Sequence, residues 1–171
     1  MQPMDRDDLH ALQGPLKERY RAEPDAALVT LRAEGRLDDE RVACSVATGR
    51  ALVQAGLHPA TGGSGALACS GDMLLEALVA CAGVTLRSVA TSMALDVAGT
   101  VRAEGDLDVR GTLGVDREAP VGFTAIRVEF ELESDASREE LDTLLERTGR
   151  YCVVYQTLLG GADLQLGYAT S

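Results

Sequence analysis

Two of the four cysteines in this chain stand where a thiol could do chemistry. Cys81 lies inside an apolar run, Met73-Leu74-Leu75-Glu76-Ala77-Leu78-Val79-Ala80-Cys81-Ala82-Gly83-Val84-Thr85-Leu86-Arg87, and Cys152 lies just past a second helical segment, in Arg150-Tyr151-Cys152-Val153-Val154. If the two sulfurs meet in the fold, they form a redox pair. On spacing alone Cys81 reads as core, because free cysteine packs as a small hydrophobe. Cys44, between Val42 and Val46, reads as a structural residue, and Cys69 has no evident partner. A reactive cysteine acts as its thiolate, which needs positive surroundings. Cys81 stands eleven residues beyond Ser70, the expected helix cap. The helix dipole acts only within the first turn. Its own helix therefore cannot activate it, and an arginine from elsewhere is expected to do so.

Composition bounds the alternatives. The 171 residues carry 16 basic and 27 acidic side chains, a net charge of −11, which argues against phosphate-rich nucleic acid and against anionic membrane surfaces. Such a length is one domain's worth and can bury a core without staples. With no Trp and only four Tyr and two Phe, that core must be aliphatic. The N-terminal residues lack the basic start and apolar stretch of a signal peptide. The uncharged run Ala77 to Leu86 is too short to span a bilayer. A reducing, cytoplasmic setting is the expectation, in which four cysteines do not form a disulfide framework. No CxxC pair occurs, and only His10 and His58 could assist, so a metal site is disfavoured and no cofactor is expected.

The elements that must position these thiols follow from periodicity. Residues 1–24 read as a helical arm with Leu9, Leu12, Leu16 and Tyr20 on one face, broken or kinked at Gly14-Pro15. Ala27 to Leu37, Arg41 to Thr48 and Ala51 to Ala55 read as strands, with turns at Asp38-Asp39 and Gly49. His58 to Ala68 is a Gly-rich loop. The central helix is expected to start at Ser70 as N-cap and end near Met93 to Leu95. Its Leu74, Leu78, Cys81, Thr85 and Val89 share a face, and apolar residues nearly all round predict burial. Val97 to Gly111 and Phe123 to Glu133 alternate apolar with charged residues, as half-buried antiparallel strands do. Ser137 and Glu140 form a capping box for a helix that Gly149 is expected to stop. Cys152 then opens a short helix, and Ala162 to Tyr168 is expected as a last strand. The fold class is α+β.

Asp72, Met73-Leu74-Leu75, Ala77-Leu78, Ala80-Cys81 and Thr85-Leu86-Arg87 resemble the first cysteine motif of the OsmC/Ohr family of hydroperoxide reductases, and the preceding Gly62-Gly63-Ser64-Gly65 resembles the Gly-rich loop of many relatives. Cys152-Val153-Val154 resembles the second motif, in which a proline usually follows the cysteine. The resemblance runs from about Ala27 to Tyr168 and implies residues 25–171 as one OsmC-like domain, with the arm, residues 1–24, outside it. It implies antiparallel sheets wrapped around central helices in an intertwined homodimer. It further implies that Cys81 reduces an organic hydroperoxide and becomes a sulfenic acid, that Cys152 resolves it as a disulfide, and that a dithiol, lipoyl-type or another thiol, restores the pair. The family's activating arginine best matches Arg36, with Arg41 and Arg50 as alternatives, and Asp72 matches an acidic residue that orients it. The sequence departs from the family at Ser70, Gly71 and Val153, where proline, glutamate and proline are usual. Two other uses of the scaffold remain open: a non-catalytic binding module for a lipid, acyl group or small thiol ligand, and a regulatory partner that makes contact through the arm.

Overall fold

A computed structural model describes residues 5–23, 35–37, 43–47, 52–114 and 116–170. The arm is one helix, α1 (Arg6–Ala22), started by a capping box between Asp5 and Asp8. It runs through Pro15, where the sequence suggested a break. Gly14 eases the continuity, since it offers no Cβ for the proline ring to strike, although Pro15 still gives up one backbone hydrogen bond and crowds the carbonyl one turn back. Leu9 is buried. The side chains of Leu12, Leu16 and Tyr20, which complete the expected stripe, lie outside the described residues.

Two sheets follow. In the first, β1 (Gly35–Leu37), β2 (Ala43–Ala47) and β3 (Leu52–Gly56) pair antiparallel in order, and β4 (Ala68–Cys69) joins β3 in parallel. The register sets Arg36 opposite Ser45 and Cys44 opposite Ala55. The remainder of the expected first strand and the turns at Asp38-Asp39 and Gly49 lie outside the described residues, as do Arg41 and Arg50. The second sheet pairs β5 (Ala98–Leu107) antiparallel with β6 (Phe123–Glu133). Val101, Ala103, Ile126, Val128 and Phe130 turn to the core, while Arg102 meets Glu131 at 3.1 Å on the wet face. This is the half-buried alternation expected of such strands.

Between the sheets runs α2 (Ser70–Ser92), followed later by α3 (Val109–Thr112), α4 (Arg138–Tyr151) and α5 (Val153–Gly160). Leu86, Val89 and Ala90 of α2 pack with Val97 and Leu144 in one core cluster, and Leu78 and Ala82 pack with Cys152 in another. By length and composition α2 could cross a bilayer, with a mean hydropathy of 1.6 over its most apolar window, yet here it is the helix around which the other elements assemble. Only 28% of that window is buried by this chain, and Val84 is 72% exposed.

Four expectations are corrected. The N-cap of α2 is Cys69 and Ser70 is already helical. The segment after β5 is not strand to Gly111: Asp108 accepts from the Arg110 N–H and caps the short α3 instead. Gly149 does not stop α4, which continues to Tyr151 until Cys152 turns extended at φ −74°, ψ 108°. Finally, residues 162–168 form no strand. A strand needs a neighbour to take its backbone N–H and C=O groups, and no described strand of this chain pairs with the segment. Leu164, Leu166 and Tyr168 are 90%, 104% and 94% exposed.

Candidate active site

The α2 helix carries Cys81 because Leu78, Ala82, Leu86, Val89 and Ala90 anchor one side of it in the core. Cys81 is partly buried beside that stripe, packed against the cluster that contains Cys152. Cys152 reaches it through a helix–helix corner. Its N–H closes α4 on the Thr148 carbonyl at 2.9 Å, and its carbonyl opens α5 by accepting from the Gln156 N–H at 2.9 Å. One residue thus ends one helix and begins the next, and its side chain is 1% exposed. Both thiols are free.

The first N–H groups of a helix have no intrahelical acceptor. In α5 no hydroxyl or carboxylate side chain takes them, because the N-cap is a cysteine. The N–H groups of Val153, Val154 and Tyr155 favour the charged form of the neighbouring sulfurs instead. For Cys81, burial pushes the thiol up, but four donors acting together outweigh it: the Val154 N–H, the Cys152 thiol, the Val153 N–H and the Thr85 hydroxyl. The Cys81 thiol therefore ionises below its ordinary value. The single Thr85 hydroxyl proton is shared with the Cys81 carbonyl, to which it donates at 2.7 Å, and this holds the side chain against that turn of α2. Cys152 is displaced the other way. Burial raises it, and its hydrogen bond to Cys81 and that sulfur's charge raise it further, against the opposing N–H groups of Tyr155 and Val154. The result is an asymmetric pair, one sulfur disposed to be a thiolate and its neighbour held as a thiol that donates to it. Such a pair can divide nucleophilic attack from resolution of the oxidised product.

Sequence reasoning expected an arginine to lower the Cys81 thiol, whereas the groups that lower it here are the Val153 and Val154 amides, the Cys152 thiol and the Thr85 hydroxyl. Among the described residues, no arginine acts on Cys81; neutral amides from another helix do. A cysteine standing where Ser, Thr, Asp or Asn usually caps a helix was the available signal. Arg36 lies on β1, and its side chain is outside the described residues. Asp72 lies in the first turn of α2, nine residues before Cys81 and so roughly 13 Å away along the axis. There it lines a largely apolar cleft of about 620 Å³ together with His58, Cys69, Leu75 and Phe123. His58 is committed locally, its Nδ1 accepting the Ala60 N–H at 3.1 Å. Among the described residues, no three His, Cys, Asp or Glu side chains gather as metal ligands.

An α+β domain with a helix-borne thiol facing a second thiol at a helix corner is the class that fold and site define. The OsmC-like protein family matches residues 63–167, more than half of the sequence, and the chain belongs to that family. No curated protein matches it. Among solved structures, an OsmC-like protein from Mycoplasma pneumoniae aligns with a TM-score of 0.64 at 16% identity, over 78% of this chain and 89% of that one. An organic hydroperoxide resistance protein from Elizabethkingia anophelis aligns at 0.59 with 18% identity, over 79% and 91%. One from Legionella pneumophila aligns at 0.57 with 19% identity, over 80% and 94%. At such identities the likeness is one of fold.

Proposed function

We propose that the protein is a thiol-dependent peroxidase for organic hydroperoxides. The observation that carries the reading is the asymmetric Cys81–Cys152 pair, with the Val153 and Val154 amides directed at Cys81. The Cys81 thiolate attacks the distal oxygen of ROOH. The O–O bond breaks, the sulfur becomes a sulfenic acid, and the departing alkoxide takes a proton to leave as ROH. The Cys152 sulfur then attacks the sulfenic acid, forming the Cys81–Cys152 disulfide and releasing water. A dithiol of lipoyl type, or two equivalents of another thiol, returns both sulfurs to the reduced state by exchange. Arg36 and Asp72 are the proposed charged pair that polarises the peroxide. A reducing cytoplasm would keep the resting pair as thiols. The names of the structural neighbours, two of them organic hydroperoxide resistance proteins, support the substrate class.

The test is consumption of cumene hydroperoxide in the presence of dihydrolipoamide. Expected are turnover by the native protein, none by Cys81→Ser, and a disulfide between the two cysteines after one equivalent of peroxide without reductant. Native protein with reduced Cys81 that consumes no hydroperoxide refutes the reading.

The working unit proposed is a homodimer. Val84 of the apolar central helix is left uncovered, and a C-terminal segment of alternating Leu164, Leu166 and Tyr168 pairs with no described strand. Both features are completed by a second copy.

A second reading, a binding module for an apolar or acyl ligand, is favoured by the 620 Å³ cleft at the start of α2. Native mass spectrometry of the purified protein decides it: a copurified ligand supports it, and an empty protein that turns over peroxide removes it.

A further inference from the structure

The corner between α4 and α5 fixes which backbone groups stand beside Cys81, and one side chain outside the thiol pair spans that corner. A helix that continued past Tyr151 would return the Val153 N–H to the Gly149 carbonyl, four residues back. The chain does not do this. Cys152 turns extended at φ −74°, ψ 108°, and its N–H makes the last bond of α4, to the Thr148 carbonyl at 2.9 Å. Val153 then begins a new helix. The turn has two consequences. The Val153 N–H is released from α4, and the Gly149 carbonyl loses the donor that a longer helix would have supplied.

Gln156 answers the second. Its side-chain Nε2 donates to the Gly149 carbonyl at 2.8 Å. Its backbone N–H donates to the Cys152 carbonyl at 2.9 Å, the first bond of α5. One residue is thus bonded to both sides of the corner, through its main chain to Cys152 and through its side chain to the last turn of α4. Helical side chains lean towards the N-terminus of their own helix, which here is the direction from α5 back to α4. A glutamine brings its donor without a charge. Tyr155 packs at the same place, with Cε1 of its ring 3.7 Å from where a Cβ on Gly149 would stand.

The corner holds the first turn of α5 against the thiol. Val154 and Cys81 both pack on the cluster of Leu78, Ala82 and Cys152. The N–H groups of Val153 and Val154 are two of the four groups that lower the Cys81 thiol, and none of the four is a charged side chain. A neutral amide acts only at hydrogen-bond range and weakens steeply when misaligned. Its effect on the sulfur therefore depends on the angle of the corner. We propose that Gln156 is a positioning residue: its side chain takes the Gly149 carbonyl in place of the Val153 N–H, holds the α4–α5 corner, and so keeps the first amides of α5 beside Cys81. That the arrangement serves peroxide reduction rests on the peroxidase reading above; the positioning itself does not.

The test is the titration midpoint of Cys81, read from iodoacetamide alkylation against pH with the labelled cysteine assigned by mass spectrometry. Gln156→Met and Gln156→Leu remove the donor and keep good helix formers at an exposed position. Loosened amides favour the thiolate less, so the thiol keeps its proton to higher pH. Both variants are expected to raise the midpoint by about half a unit, the scale on which one modest hydrogen bond enters a protonation equilibrium. A merely structural role would lower the melting temperature and leave the midpoint where it is. In a Val153→Pro background, where one amide is already gone, the rise caused by Gln156→Met is expected to shrink. An unchanged midpoint in both single variants overturns the proposal, and so does a rise of equal size in the Val153→Pro background. At a pH below the midpoints, kcat/KM for cumene hydroperoxide is expected to fall about threefold in Gln156→Met, as the thiolate fraction does. Midpoints that shift as expected in a protein that consumes no hydroperoxide refute the peroxidase reading alone and leave the role of Gln156 standing.

Discussion

The backbone N–H of Val153 is one of the groups that lower the Cys81 thiol, and it is a group that a proline at that position could not supply. The sequence departs from the resembled second motif at this residue. The departure therefore adds an amide to the thiolate's surroundings, in a site where no described arginine does that work. Proline is well tolerated at the first position of a helix. Val153→Pro should therefore leave the fold intact and raise the Cys81 pKa, since one of the groups that lower it is lost. Rates of iodoacetamide alkylation against pH measure this directly. The native midpoint should fall below the ordinary thiol value of about 8.5, and the variant's should lie above the native one. Coincident profiles would remove Val153 from the site.

Cys152 acts on Cys81 in the same direction, as a donor through its thiol. Cys152→Ala should raise the Cys81 midpoint, whereas Cys152→Ser, which keeps an O–H donor, should raise it less. Both variants should accumulate a Cys81 sulfenic acid that dimedone labels after one equivalent of peroxide. Native protein should pass on to the disulfide and escape labelling. Equal dimedone labelling of the native protein would show that Cys152 does not resolve.

The anchor of α2 is open to a stability test. Leu78 is 1% exposed and packs on Cys152 and Ala82. Leu78→Ala should destabilise the protein by about 2–5 kcal/mol in urea unfolding. It should also slow alkylation of Cys81, because the turn that carries the sulfur loses its fixed position. A loss below about 1 kcal/mol would mean that the site relaxes into the space.

The C-terminal segment gives a third kind of prediction. Its alternation of Leu164, Leu166 and Tyr168 with polar residues is that of a strand with one apolar face, and those three side chains are wholly exposed in the single chain. Leu166→Asp should convert a dimer into a monomer in light scattering at micromolar concentration. A native protein that is already monomeric would refute the dimer.

Local sequence determined much of this protein. The strand Phe123–Glu133, the capping box of Ser137 and Glu140, and the start of α5 at Cys152 are legible because periodicity and caps act over a few residues. The same local rules misplaced elements whose ends are set by packing. Gly149 stays helical with Tyr155 of α5 packed over it, and the chain turns at Cys152 instead. Local rules also produced a strand at 162–168 that pairs with no described strand of the chain. The sequence by itself identified two sulfurs and the family to which they belong. Only the tertiary structure decided which groups lower the Cys81 thiol. The donors are backbone amides, which every residue but proline carries and no residue type announces. Their place beside Cys81 depends on the corner at Cys152 between α4 and α5, both of which pack on α2 although they follow it by some fifty to seventy residues in the chain.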